Sequence, residues 1–388
     1  MQSLKILDLR PHTAKSEAKI IDYLDDKVLF LSEDQPMGDH VLYEYDVATE
    51  SLTERHRYPM PKEAFLDSFT YTSRHKVLIV KTHETGAVHV DICDTHDHTM
   101  QQYTIPIDGE VLSIPIGLDE RYFFAFVDKD DEDDLYLFDV VKQSAHKVVD
   151  KRVIHSMSYF YGNQCIPSFI NKGEAYLCLN ETTMCDYERL DIHNMIQRGE
   201  IKARDVFEPM EALHIVLKHE LINSIKEGKD VSLTTLATSS ISGWVRYLGM
   251  DEDFIYYREM RFEDRTERIL AFDLLDMDVV EVTAIDHKCL KGELRYHDPY
   301  IYEIMEDDDA LKVMGRFGME GEIVCHRPQG RFHDFVGERY LITSWWTEDA
   351  EGENYKEFTQ LTDIVDNTKD TYEGYYEVYG STMILYNT

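Results

Sequence analysis

An all-β ring of repeated four-stranded units is the fold this sequence predicts, on three observations. A tight-turn signal followed by a β-rich run recurs along the 388 residues, at 25–34, 74–82, 119–128, 173–181, 251–259, 298–306, 337–345 and 380–388. A second apolar and aromatic run, closed by an aspartate, follows most of these at short distance. The units repeat at about 45 residues with turn signals roughly every 8–12, which leaves room for four short strands each. That is the arithmetic of a β-propeller blade.

Taken in chain order, equivalent positions of the first run are Lys27, Lys76, Arg121, Ala175, Asp253, Tyr300, Arg339 and Thr382, separated by 49, 45, 54, 78, 47, 39 and 43 residues. The second run ends at Asp46, Asp94, Asp139, Asp191, Asp273 and Asp363, and the unit near Gly318 lacks the aspartate. An aspartate at the end of a strand bonds the backbone N–H groups ahead of it and starts a hairpin, so these residues are assigned to turns and not to catalysis.

One blade cannot bury both of its faces, so the ring must close. The segment 6–11, with Asp8 at the hairpin position, and the segment 375–387, with the character of two strands, would complement each other as one composite blade. Pairing of the N- and C-terminal strands would remove the free sheet edges that invite aggregation. The repeat count is then eight blades in a single domain, 1–388. Seven blades with a decorated closure is the alternative, because only short stretches separate Asp8 from Lys27 and Asp363 from Thr382.

The 78-residue step holds about 30 residues more than a blade of this period needs, and they read as a helical insertion at 205–230 between blades 4 and 5. Pro209 suits a first helical position and Gly228 a C-terminal stop. Met210, Leu213, Leu217, Leu221 and Ile225 form one apolar stripe, widened by Ile215 and Ile222. The stripe either packs on the propeller's own flank or docks a second chain, with Leu213 and Leu217 as contacts. The histidines of HIVLKHE (214–220) are five apart and do not stack on one helix face, so a metalloprotease site is rejected.

Acidic loops follow the second strands. In DKDDEDD (128–134) the alternating carboxylates have the look of a calcium loop, but Asp133 stands where the sharp-turn glycine belongs, so no metal is assigned and the loop is read as a charged hairpin tip. EDDD (306–309) occupies the same place in a later blade. Trp345 and Trp346 precede a third such loop; as adjacent strand residues they point to opposite faces, leaving one available to a partner.

Composition excludes several classes. Forty basic against 75 acidic residues give a formal charge of −35, which opposes binding to nucleic acid and to anionic membranes and leaves cationic or basic partners open; a protein partner is expected. With 43% hydrophobic residues and only 19 glycines and 10 prolines, the chain can bury a large core. Six cysteines without a CxxC pair fit buried thiols in a reducing compartment. No signal-peptide core or membrane-spanning run is expected, and the predicted location is cytoplasmic. No Walker loop, GxGxxG or GxSxG occurs, so neither a cofactor nor a catalytic residue is assigned.

Polar residues on the innermost strands have no core to fill and would line the central channel. These are His155, Tyr159 and Tyr161 of blade 4, Trp244 and Arg246 of blade 5, Glu293, Arg295 and His297 of blade 6, and His333 of blade 7. Guanidinium groups beside histidines would bind a small anionic ligand, a sugar acid or a phosphate. The alternation of Glu293, Arg295 and His297 on one strand side is the sharpest pattern; an inter-blade ion pair with a turn histidine is the commoner explanation of such a pattern, and a channel-mouth pocket is the alternative.

The apolar-x-apolar-x-Asp ending of the second run, as in Leu135 to Asp139, resembles the bacterial YVTN and WD40-like propeller repeats. The Gly-His and Trp-Asp pairs of true WD40 units, the double glycines of kelch units and the Ser-Pro-Asp-Gly turn of periplasmic propellers are absent. The resemblance implies the fold and no activity. Two functions are therefore carried forward: a cytosolic interaction scaffold, and a lyase- or lactonase-like enzyme or sensor with its anionic ligand in the channel.

Overall fold

The computed structural model describes residues 4–13, 18–34, 39–58, 66–70, 76–84, 86–94, 99–112, 115–129, 132–159, 166–183, 194–200, 211–239, 243–250, 253–261, 266–286, 292–297, 300–305, 310–313, 322–326, 331–336, 339–348 and 355–387. Among them the strands form eight sheets, mostly four-stranded antiparallel meanders in sequence order. The first begins at Ala18–Leu24, the second at Leu66–Thr70, the fourth at Ser168–Asn171, the fifth at Gly243–Met250, the sixth at Gly292–His297 and the seventh at Arg331–Val336. In the third sheet two short pieces, Glu110–Val111 and Ile116–Gly117, share the place of the first strand.

The eighth sheet joins the chain ends. Thr382–Tyr386 lies between Tyr375–Tyr379, antiparallel, and Lys5–Asp8, parallel, with Leu7 opposite Ile384. Both of its faces are covered. Leu7, Leu9, Ile384 and Tyr386 pack with Ile20, Val28 and Phe30 of the first sheet, while Met383 and Leu385 pack with Val336, Ile342 and Leu361 of the seventh. Similar apolar layers join the first sheet to the second, the second to the third, the third to the fourth and the fourth to the fifth.

The hairpin aspartates do what turn chemistry requires. Asp46 accepts from Ala48 and Thr49 N–H at 2.9 and 3.0 Å, Asp273 from Leu275 and Asp276 at 2.8 and 3.0 Å, and Asp363 from Val365 and Asp366 at 3.0 and 3.1 Å. The residue after each aspartate also donates its N–H to a carbonyl in the turn between the first two strands: Val47 to Asp26, Val140 to Arg121, Leu274 to Asp253 and Ile364 to Arg339. Glu50, Gln143, Met277 and Asn367, at the ends of these turns, all take positive φ. One left-handed residue per hairpin costs on the order of 1–2 kcal/mol where it is not glycine, and the repeated double tether holds it.

Three expectations for the fourth repeat are corrected. Residues 211–217 are not helical: Glu211–Leu217 is the third strand of the fourth sheet, and the helix, α4, covers Lys218–Lys226, after α1 (Arg10–Thr13), α2 (Lys151–Tyr159) and the turn α3 (194–197). A strand buried on both faces is an unbroken apolar run, and in ALHIV the helical stripe happened to coincide with one. The run containing Asp191 is not the third strand either; that position lies outside the described residues. The extra length therefore falls in two places, between Thr182 and Glu211 and at α4. Gly228 does end the helix, with φ +63 and its N–H on Ile225 O.

Asp150 caps α2 by accepting from Arg152 N–H at 3.0 Å, and Val153 and Met157 turn one face of the helix into the layer between the third and fourth sheets. Leu221, Ile222 and Ile225 of α4 enter the same layer, so this helix packs on its own sheets. Lys226 Nζ then reaches Asp139 at 2.6 Å and Tyr122 Oη at 3.0 Å, and Lys218 reaches Asp119 at 2.5 Å, tying α4 to the third sheet.

The buried thiols behave as small apolar groups: Cys93 and Cys178 are both in the core, and burial pushes the Cys178 thiol up to about 12. In the DKDDEDD segment Asp128 lies opposite Asp133 and Lys129 opposite Glu132, and residues 130–131 lie outside the described residues.

Candidate functional site

The first strand of the fifth sheet, Gly243–Met250, carries two of the residues expected to line the channel, Trp244 and Arg246. Alternation along Gly243–Met250 sends Trp244 and Arg246 to one face, and the register sets Arg258 directly opposite Arg246. Like charges in opposed strand positions repel. Here both guanidiniums sit over the Trp244 indole, at 4.9 and 4.7 Å from its centroid, where the ring quadrupole attracts them. Behind them the buried Glu211 accepts from Val245 N–H at 2.7 Å and approaches Arg246 Nη2 at 3.7 Å. The equally buried Asn180 accepts from Tyr247 N–H at 2.8 Å. Two polar side chains of the fourth sheet thus grip the backbone of the fifth sheet's first strand and fix where Trp244 and Arg246 project.

The sixth sheet's first strand, Gly292–His297, lies against this strand. Glu293, Arg295 and His297 are alternate residues of it, and His333 falls on Arg331–Val336; their side chains, and all of Tyr161, lie outside the described residues. Arg258, Glu211 and Asn180 were missed by the sequence reading. Arg258 had a signal available, as the cross-strand partner of Arg246 in a predicted hairpin.

His155 is placed otherwise than expected. It lies on α2, which crosses between two sheets, and the first strand of its sheet is Ser168–Asn171. The capping Asp150 with Val153 and Met157 one turn apart was the helical signal. His155 Nδ1 stands 3.4 Å from Glu181 Oε1; Glu181 Oε2 is 3.1 Å from His214 Nε2, and His214 Nδ1 is 3.0 Å from Thr235 Oγ1. Glu181 and His214 are buried. Burial would raise the Glu181 carboxyl, but the hydrogen bonds from His214 and His155 outweigh it and hold the group below the ordinary glutamate range.

Of the proposed partner contacts, Leu213 is fully buried between the fourth and fifth sheets, and Leu217 is half-buried at the strand end. Neither is on a helix surface. Trp345 stacks on Phe358 with centroids 5.6 Å apart, while Trp346 is 61% exposed, so the two do face opposite ways.

No family model matches the sequence, and no curated protein matches it. Solved structures match in fold. A prolyl endopeptidase is similar with a TM-score of 0.50 at 7% identity over 92% of this chain and 50% of that one, so the chain spans half the length of that enzyme. An uncharacterized protein of Listeria monocytogenes gives 0.49 at 6% over 95% and 97%, and oligogalacturonate lyase from Vibrio parahaemolyticus gives 0.44 at 9% over 92% and 90%. At such identities the likeness establishes the fold alone. The protein is of the β-propeller class.

Proposed function

We propose that the eight sheets are the blades of one ring, closed through the sheet that joins the chain ends, and that the ring is a cytoplasmic protein-interaction scaffold for a basic partner. One observation carries the reading. At the same position of three hairpin turns, two residues after the aspartate, stand Val141, Leu275 and Val365, which are 52%, 76% and 70% exposed. The residue before each turns inward or half-inward: Val140 and Leu274 are buried and Ile364 is half-buried. Repeated exposure of an aliphatic tip in a chain of charge −35 offers apolar anchors inside an acidic field, which a cationic surface with aliphatic contacts complements. Affinity capture with the parent chain and with a Val141→Ser, Leu275→Ser, Val365→Ser variant tests it. A basic protein retained by the parent, released by salt and lost by an equally stable variant supports the reading; identical capture by both overturns it.

A second reading is favoured by the Arg246–Arg258 pair over Trp244: a small anionic ligand held at the inner edge of the fifth blade. Two guanidiniums on a rigid strand pair focus anions even where the whole surface repels them. Isothermal titration with uronates and sugar phosphates should show binding that Arg246→Gln and Arg258→Gln each weaken, and unchanged heats in both variants refute it.

A further inference from the structure

Among the described residues, each of the first seven sheets ends in a strand that no other strand pairs on its far side. Such an edge is a template for further pairing, and proteins blunt it with charge, bulges or short length. Ser51–Tyr58 and Thr368–Glu373 carry three charged residues each. Ser144–Lys147 and Glu322–His326 have only four and five residues. Thr234–Ser239 and Asp278–Asp286 are each broken by an extra residue, Leu236 and Val282. Thr99–Pro106, the last strand of the second sheet, differs from all six: it has eight residues, no charged side chain and an unbroken register from Thr99 opposite Asp94 to Pro106 opposite Ala87.

Ile107 donates its N–H to Gly86 O at 3.1 Å, which fixes the phase of this ladder. Hydrogen-bonded pairs alternate along an antiparallel pair. Ile105 and Tyr103 therefore bond Val88 and Val90, while Met100, Gln102 and Thr104 turn both N–H and C=O outward. Gln102 and Thr104 are exposed and Met100 is half-buried. Pro106 stands where the next outward N–H would fall, so the template ends there. The two faces of the strand differ. Tyr103 and Ile105 belong to the apolar layer shared with the third sheet, whereas Gln102 and Thr104 lie on the other face, with the Thr104 hydroxyl 3.0 Å from His89 Nδ1.

A strand laid along this edge places alternate side chains on those two faces. Those on the Tyr103 side extend an apolar layer. Those on the Gln102 side enter solvent in the field of a chain of charge −35. Aliphatic residues alternating with lysine or arginine satisfy both sides at once. A second copy of this chain would bring a further charge of −35 to the contact, and repulsion disfavours it.

We infer that residues 99–105 are a strand-addition site for an extended segment of a basic partner in which aliphatic and basic residues alternate. The sign of the partner rests on the scaffold reading; the surface and the mode of contact do not. The test follows amide exchange in the full chain with two probes. One is a capped peptide of four lysines alternating with three valines. The other is the same peptide methylated at every backbone nitrogen, which keeps side chains and charge but cannot pair as a strand. In the chain alone the Met100, Gln102 and Thr104 amides should exchange faster than those of Tyr103 and Ile105. The unmodified peptide should slow the three outward amides about tenfold or more, with Thr368–Glu373 unchanged, and the methylated peptide should slow none. Gln102→Pro removes the central outward donor without altering charge and should abolish the slowing. Should that variant not fold, the two peptides on the parent chain decide. No slowing, equal slowing by both peptides, or slowing that appears without peptide as protein concentration rises overturns the site. Loss of capture in the hairpin-tip variant with an edge silent to the peptide removes this site alone, whereas a protected edge with no basic protein captured removes the scaffold reading alone.

Discussion

Replacing Asp139 with asparagine tests how the third and fourth sheets are held together. The carboxylate is fully buried and accepts from Arg121 Nε and Nη2, both at 2.8 Å, from Lys226 Nζ at 2.6 Å and from Lys142 N–H at 3.1 Å. Asparagine keeps one accepting oxygen and removes the charge, leaving two partly buried cations facing each other. Breaking one side of a buried pair costs about 3–5 kcal/mol. With an unfolding entropy of about 2.1 cal/mol/K per residue, a chain of this length should lose roughly 4–6 °C in Tm if it melts as one unit. The pH dependence adds a sign. Burial acts to raise the Asp139 carboxyl, but the hydrogen bonds from Arg121 and Lys226 prevail and hold it far below the usual aspartate range. A depressed native value gives stability that is complete above the unfolded value of about 4 and is lost as pH falls towards the native one. Urea unfolding followed by circular dichroism should therefore show a constant gap between parent and variant down to about pH 5 and a narrowing gap below about pH 4. A gap under about 1 kcal/mol at neutral pH, or one that ignores acidification, would refute the reasoning.

Further outcomes follow from the same packing. Leu221→Ala and Ile225→Ala in α4 should each cost about 2–5 kcal/mol in chemical denaturation; a stability unchanged by both would mean the helix serves a partner and not its own sheets. Deleting residues 380–388 removes the middle strand of the sheet that joins the ends, so size-exclusion chromatography should show aggregates in place of a monomer peak. A soluble, cooperatively melting truncation would argue against that role. Trp346→Ser should move stability by no more than about 0.5 kcal/mol, as expected for a surface side chain, whereas Trp345→Ala should lower the Tm measurably through loss of the Phe358 stack.

The repeating aspartates show how much of the fold could be read directly. Asp46, Asp139, Asp273 and Asp363 each accept backbone N–H groups two or three residues ahead, and that local signal was enough to place the hairpins, whereas the pairing of Asp139 with Arg121 and Lys226 and of Asp363 with Arg339 reaches far along the chain. The terminal strands were legible for the same reason, because Asp8 repeats the pattern at the chain start. In the fourth repeat the local signals conflicted. ALHIV satisfies a helical stripe and a doubly buried strand at once, and only the neighbouring sheets, which cover both of its faces, decide between them. Asp150, Val153 and Met157 carried a cap and a helical spacing that the search for inner strands passed over. The candidate sites were hardest to read. His155, Glu181 and His214 are 26 and 33 residues apart along the chain, and no spacing rule links a helix between two sheets to two strands of one of them. Arg258 became significant only once the register set it across from Arg246.

Closure of the ring through the two chain ends is the central claim, and amide hydrogen exchange of the C-terminal peptide tests it most directly. In the closed ring, the amides of Thr382–Tyr386 lie in a strand flanked on both sides and buried on both faces. They should exchange as slowly as those of Tyr122–Lys129 in the third sheet and become fast when residues 1–9 are removed. Exchange at the rate of a frayed terminus in the intact chain, or protection that survives loss of residues 1–9, would contradict it.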